Sequence, residues 1–492
     1  MTFRSILLLS ALLLSACGDR SDEGPVVVSA IGGAAEIADP NRTPPGNGNR
    51  VLLSAVAQGL VAFDATGQIE PALAQRWIVT DDGLSYIFRL KRAEWPDGKL
   101  VTADDVARRL RAAIARNSRN PLKVALEAID EIVVITPEVL EIRLTSPRPP
   151  LLELLAQPEL AMLSGKGGTG PFRVLPSNGN MVALSPAPPA DMGEEEAEEQ
   201  PEISPEQTIQ LRGERAALAV ARFTAGNADL VVGGRIGTLA IARAAEPRQR
   251  ELRFDLPMGL FGLVIVENDG LLADPENRRA LAMAIDRNAI VEQFAVPGWG
   301  ASIAILPERY RSVADPALPA WAGLDMNARR EAARSIVARW NANRESDEPV
   351  PPLRLALPDL PGSRVIFAMI AADWRQIGVQ VERVPLDADA DLRMIDEVAP
   401  ADSAIWYLAT LSCPVADACD QAVKDALEAA RASPTLAERG IHLANADRAV
   451  TQTAVYIPIA RPIRWSLVSQ RLTSFRENPR AFHSLLHLRG RP

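Results

Sequence analysis

Three histidines, three cysteines and one acid-rich stretch are where this 492-residue chain could do chemistry. His483 and His487 stand four apart, a spacing that brings two imidazoles to one helical face and offers a metal two nitrogen ligands. The text between them, Ser484-Leu485-Leu486, lacks the glutamate that would turn the pair into a metalloprotease motif. A packing or surface role is therefore expected for both, and neither metal nor cofactor is expected. Gly165 to Gly170 satisfies the G-x-G-x-x-G spacing, but Pro171 and the strand-like Phe172 to Leu175 follow it. A dinucleotide site needs a helix N-terminus there. A phosphate loop fails as well, because Gly167, not Ser or Thr, follows Lys166. No G-x-S-x-G nucleophile elbow occurs. A Ser-His-Asp triad assembles through the fold and not through proximity, so the sequence leaves it open. The expectation is a protein that binds and does not catalyse.

The elements that must position any site are clearest between Gly59 and Val106. Thr80 to Gly83 reads as a tight turn, with glycine able to supply a positive φ. From Leu84 to Leu90, Tyr86, Phe88 and Leu90 alternate with Ser85, Ile87 and Arg89, the period of a strand with one apolar face. Trp95-Pro96-Asp97-Gly98 makes a second turn. Thr102, with Asp105 three residues on, approximates a capping box for a helix whose apolar face carries Val106, Leu110, Ala113 and Ile114.

Residues 1 to 16 combine Arg4 with the apolar run Ile6 to Leu14, too short to span a bilayer, and read as a cleaved signal. Leu14-Ser15-Ala16-Cys17 resembles a bacterial lipobox, which implies a diacylated Cys17, residues 17 to 25 as a lipidated tether and export to the cell envelope, on the periplasmic side of a membrane. In that oxidising setting Cys413 and Cys419 are expected to pair. The bridge closes a short loop and contributes roughly 2–3 kcal/mol through chain entropy. The net charge of −9 is almost all in Asp191, Glu194, Glu195, Glu196, Glu198, Glu199, Glu202 and Glu206. No basic field remains for nucleic acid. With five prolines, 186 to 207 reads as a solvated insertion.

Further on, Val26 to Ile31, Ile129 to Ile135 and Val139 to Leu144 read as strands. Asp274-Pro275 opens a helix with Asp as cap and Pro in the first turn. Leu353 to Leu357, Val365 to Ile377 and Val379 to Val384 form a β-α-β unit, which predicts parallel pairing. Ala404 to Leu411 reads as a short strand, Pro434 to Thr453 as a helix, and Ala454 to Ala460 as a strand.

Several of these runs carry a likeness. The texts GLVAFD, IEPALAQRW, DDGLSYIFRL, WPDGK and TADDV resemble the N-terminal segment of family 5 extracellular solute-binding proteins, the receptors of peptide and nickel ABC importers. RRALAMAIDRNAIV and WRQIGVQVERV resemble later segments of the same family, in the expected order, and Gly168 to Phe172 resembles its GTGPY/F turn. The resemblance implies an α/β periplasmic-binding-protein-like fold, two-lobed with an extra domain of mixed sheets flanked by helices. One discontinuous lobe would hold 26–52, 165–255 and 466–492, a second 53–164, and a third 256–465. It also implies a monomer that closes on a small solute, most often a short peptide, and delivers it to a membrane permease. Peptide-binding relatives hold the ligand's amino group with an acid after an aromatic-containing strand. In this chain that points to Asp417 as the acid and to Trp406 and Tyr407 as pocket walls, although the family's W-x-x-D-Y-P-D-P text is absent. The alternatives are an exported lipoprotein of the same fold acting as a sensor or assembly partner, and an exported hydrolase.

Overall fold

The structure, a computed structural model, describes residues 24–165, 167–176, 180–188, 203–308, 315–344, 349–412 and 421–488. Cys17, Cys413, Asp417, Cys419 and most of the acidic stretch lie outside the described residues.

Three larger sheets organise the chain. The first has seven strands, in the order Phe172–Leu175, Met181–Pro186, Ile209–Glu214, Val26–Ile31, Leu230–Gly234, Arg464–Val468 and Leu252–Asp255. Val26–Ile31 sits near its middle and runs parallel to both neighbours. Its text VVVSAI is buried almost throughout, as a strand covered on both faces requires.

The second sheet has four antiparallel strands: Ala74–Val79, Ser85–Leu90, Val139–Leu144 and Ile129–Thr136. The period of two expected from Tyr86, Phe88 and Leu90 holds, because these three are buried while their neighbours are not. Both turns hold too. Gly83 and Gly98 have φ of 69° and 80°, and their N–H groups return to Thr80 and Trp95. Helix Ala103–Ile114 starts with the reciprocal box, Thr102 and Asp105 each bonding the other's backbone N–H at 3.3 and 3.0 Å.

The third sheet has five strands, in the order Val381–Val384, Leu353–Ala356, Leu392–Val398, Gly259–Ile265 and Tyr456–Ala460. The first three are parallel, and helix Pro361–Gln376 is the expected crossover. One face, through Phe261, Leu263, Ile265 and Met394, packs on helices Pro275–Ala284, Arg287–Phe294 and Pro361–Gln376. The other face, through Leu260 and Val264, packs under helices Ala404–Ser412, Gln421–Ala432 and Leu436–Thr453.

Ala404 to Leu411 is a helix and not the expected strand. The text AIWYLATL is a short apolar run, which periodicity alone cannot assign. Here Ala404, Tyr407, Leu408 and Leu411 fall on one helical face and are buried against two further helices. The strand in this region lies earlier, at Leu392–Val398.

Two short segments join the first sheet to the third. Leu256 to Met258 links Leu252–Asp255 to Gly259–Ile265, and Arg461 to Ile463 links Tyr456–Ala460 to Arg464–Val468. They run side by side. A Cβ on Gly259 would stand 2.8 Å from Pro462 and 2.0 Å from the Glu397 carbonyl oxygen, so only glycine fits. The four-stranded part rests on the third through side-chain bonds. Arg439 donates to the Pro147 carbonyl at 2.7 Å, Gln157 to the Pro400 carbonyl at 2.5 Å, and Arg480 bridges Glu153 and Asp402, each at 2.9 Å.

Candidate functional site

The strand Leu392–Val398 reads Leu-Arg-Met-Ile-Asp-Glu-Val. Its alternation sends Leu392 and Met394 into the core under helix Pro361–Gln376, and Arg393, Ile395 and Glu397 to the other side. The helices on that other side pack over Leu260 and Val264, one strand along. A cavity of about 700 Å³ opens beside the strand. One wall is the strand itself, with Val264, Val266 and Thr410. The opposite wall is Arg235-Ile236-Gly237, which follows the seven-stranded sheet's Leu230–Gly234. Leu360 and Ser363, from the start of helix Pro361–Gln376, close one end. The cavity therefore lies between the two sheets that the paired crossing segments connect.

Its electrostatics separate two adjacent acids. Asp396 is neutralised: Arg464 donates to its carboxylate at 2.7 Å and to its carbonyl at 3.1 Å, and Arg235 donates to the same carbonyl at 2.8 Å. Trp465 fixes the Arg235 backbone, donating from its ring nitrogen to the Arg235 carbonyl at 2.9 Å. Glu397 lines the cavity, and its carboxylate accepts no hydrogen bond among the described residues. Glu397 stays exposed to the cavity, and partial desolvation there raises its carboxyl above the usual range, with Arg235 and Arg464 opposing and Asp396 adding to the rise. Arg235 is pushed the other way, first by desolvation and then by Arg464. Its side chain still keeps 55 % of its exposure, because it opens on the cavity. An amphipathic cleft results, with apolar walls, an unpaired carboxylate and a partly free guanidinium, which suits a small solute carrying charge.

A smaller cavity of about 350 Å³ lies among Gln58, Phe63, Thr169 and Phe482. Both of its acids have a cationic neighbour: Glu70 is taken by His487 at 2.8 Å, and Glu94 lies 3.8 Å from Arg92.

The residues expected from sequence lie differently. Trp406 and Tyr407 pack edge to face at 4.9 Å, and Tyr407 is fully buried in the helical cluster. Neither lines the cavity, whereas Thr410, one turn further along the same helix, does. His483 and His487 do not converge. His483 bonds Asp255 at 2.8 Å and stacks on Phe475, while His487 bonds Glu70. Among the described residues no cluster of three or more His, Cys, Asp or Glu is placed to hold a metal, and no helix is long and apolar enough to cross a membrane. Gly167 and Gly168 pair in a two-residue strand, and strand Phe172–Leu175 follows. A Cβ on Gly170 would meet the Val56 backbone at 2.3 Å, so this turn is glycine for packing. Arg235, Ser363, Asp396 and Glu397 were not singled out from sequence. The available signal was Asp396-Glu397, two adjacent acids inside the strand Leu392–Val398, whose other residues apart from Arg393 are apolar.

One buried acid stands apart from the cavity. Asp447 is 1 % exposed on helix Leu436–Thr453, accepts the Ala317 N–H at 2.7 Å, and leaves its other oxygen without a partner among the described residues. Burial raises its pKa from 3.8 to about 6, against the Ala317 bond. The native state therefore binds this proton more tightly than the unfolded chain does. The stabilisation is complete below pH 3.8 and is lost as pH rises through about 6. The loss is on the order of 2–3 kcal/mol. Asp447→Asn keeps an acceptor for Ala317 and should flatten this fall, measured as urea midpoints between pH 4 and 7. A fall as steep as that of the wild type would refute the assignment.

The comparisons with known proteins bear on the family and the fold. The family described as bacterial extracellular solute-binding proteins, family 5 Middle, matches residues 68–410. The probable deoxycholate-binding periplasmic protein YgiS of Escherichia coli K12 is 33 % identical over 84 residues, 17 % of this chain and 16 % of that protein. The glutathione-binding protein GsiB of Salmonella choleraesuis is 32 % identical over 170 residues, 30 % and 31 % of the two chains. The chain thus matches less than a third of the length of these two curated relatives. The Haemophilus influenzae OppA structure, solved in complex with RPPGFSPFR, superposes with a TM-score of 0.77 at 16 % identity, over 95 % of this chain and 99 % of that one. At that identity the likeness shows the fold, the two-lobed α/β arrangement of periplasmic binding proteins.

Proposed function

The chain belongs to the bacterial extracellular solute-binding proteins of family 5, and from that membership we propose that it is the solute-binding receptor of an ABC importer. The observation that carries this reading is the cavity beside Leu392–Val398, with Glu397 unpaired on one sheet and Arg235 facing it from the other. Two sheets joined by a pair of short crossing segments can hinge, and a solute held between them is enclosed when they close. Glu397 is the counter-ion for a protonated amine on the solute, through a charge-assisted hydrogen bond. A short peptide supplies such an amine, and the peptide bound to the H. influenzae relative supports this class. In this reading each larger sheet is the core of one lobe, with the boundaries expected from the sequence except that strand Arg464–Val468 goes whole to the lobe of the seven-stranded sheet. The protein acts as a monomer, is anchored on the periplasmic side by lipid on Cys17, and passes its cargo to a permease without chemical turnover.

Native mass spectrometry of the purified protein tests the reading without guessing the ligand. The expected result is an additional peptide-sized mass that is lost on denaturation, or its appearance when a pool of di- to pentapeptides is added. A chain that stays bare in both settings would overturn the peptide-receptor reading.

A further inference from the structure

The end of the cavity formed by helix Pro361–Gln376 has donors with nothing to donate to. The helix is preceded by Leu360, whose extended backbone (φ −128°, ψ 152°) places it as the N-cap, yet leucine has no acceptor and no side-chain cap bond forms. Pro361 has no N–H. Arg364 is the first residue whose N–H turns back, to the Leu360 carbonyl at 3.0 Å. Gly362 and Ser363 therefore carry first-turn N–H groups without an intrahelical acceptor. The nearest acid in sequence, Asp359, could have capped them, but its carboxylate is taken by Arg364 and Arg383, each at 2.9 Å.

A second observation is independent of the helix end. Ser363 is 2 % exposed and lines the cavity, and its hydroxyl makes no hydrogen bond among the described residues. A third concerns Arg235. The helix start is pressed against the segment that carries it: a Cβ on Gly362 would lie 2.3 Å from the Ile236 carbonyl oxygen, and one on Gly237 would lie 2.9 Å from Leu360. Arg235 lines the cavity with a side chain 55 % exposed, and its guanidinium makes no hydrogen bond among the described residues besides that to the Asp396 carbonyl. A guanidinium, a hydroxyl and the start of a 16-residue helix thus border the same cavity, where the Arg235-Ile236-Gly237 wall adjoins the helix end.

We propose that this wall is a subsite for a carboxylate on the solute, built from Arg235, the Ser363 hydroxyl and the uncapped first turn of Pro361–Gln376. The inference rests on the receptor reading of the cavity and deepens it. With Glu397 in the same cavity, the favoured solute is dipolar, carrying an amine for the acid and a carboxylate for this wall. Ile236, Leu360, Leu386 and Met394 supply apolar surface between the two.

The test uses hexanoate and its neutral isostere hexanamide, titrated calorimetrically into the full-length protein. The wild type should prefer hexanoate by about tenfold, the scale of a charge-assisted bond. Ser363→Ala should cut that preference by about threefold, the low end of one hydrogen bond. Arg235→Gln should remove it. Leu360→Asp is the decisive variant. Its carboxylate caps the same N–H groups, so the helix keeps or gains stability while the subsite is filled from within. It should abolish the preference and leave the melting temperature equal or higher. Equal affinity for the two probes in the wild type, including no binding of either at the solubility limit, overturns the proposal. So does a preference that survives both Arg235→Gln and Leu360→Asp. If the preference is absent while native mass spectrometry still finds a bound solute, the subsite fails and the receptor reading stands. A preference without any solute capture sinks the receptor reading instead.

Discussion

Glu397→Gln should weaken binding of a free-amine peptide by roughly 10- to 150-fold, the 1.5–3 kcal/mol that a hydrogen bond to a charged group contributes. The N-acetylated form of the same peptide, which has no ammonium, should bind wild type and variant alike. The contrast matters more than the loss, because a general disturbance of the cavity would weaken both. Stability should not fall with affinity. The Glu397 carboxyl is raised by its surroundings, so the folded state holds the proton more tightly than the unfolded chain, and stability declines as pH rises above the ordinary value of 4.5. Removing the charge relieves that decline, and Glu397→Gln should unfold at the same urea concentration as wild type, or a higher one, at pH 7.5. If both peptide forms weaken equally, or if neither does, Glu397 is not the counter-ion.

How far the site could be read from the sequence depended on the range of the interactions that make it. The capping box at Thr102 and Asp105, the turn at Thr80 to Gly83 and the alternation through Tyr86, Phe88 and Leu90 are set by residues within a few positions of one another. All were legible and all are present. The β-α-β unit around Pro361–Gln376 was legible for the same reason. The cavity was not. It depends on Arg235 meeting Asp396, 161 residues away, and on helices Ala404–Ser412 to Leu436–Thr453 packing over Leu260 and Val264. No local pattern encodes either. The aromatic pair Trp406 and Tyr407 attracted attention because large rings often line pockets, but a helix turns Tyr407 into its own core. Leu360 was passed over because a missing cap is an absence, and absences leave little trace in a pattern search. Asp417 and the cysteine pair Cys413 and Cys419 lie outside the described residues; the acid stays as the resemblance implies and the disulfide as expected of an oxidising setting.

Asp396 and Glu397 are neighbours with opposite duties, and their difference carries the second large prediction. Arg464 belongs to the seven-stranded sheet and reaches its partner on the five-stranded one just beyond the crossing at Arg461 to Ile463. Both side chains are close to fully covered, at 10 % and 14 % exposure. Removing one member of such a pair strands the other's charge in a medium that solvates it poorly. The typical cost is about 3–5 kcal/mol. Arg464→Met should fall at the lower end, because Arg235 stays within 3.9 Å of the Asp396 carboxylate and replaces part of the lost interaction. The measurement is the urea unfolding free energy at pH 7.5, with Asp396→Asn and the double variant completing the cycle. If the cost is the stranded charge, the double variant is milder than Arg464→Met alone, since a neutral amide in place of the Asp396 carboxylate needs no counter-ion, and the coupling is well above the few tenths of a kcal/mol expected of independent sites. If Arg464 matters only for its packing, the two losses add and this account of Asp396 is wrong. The same outcome would reopen Glu397, because the free acid is identified as the one that no arginine holds.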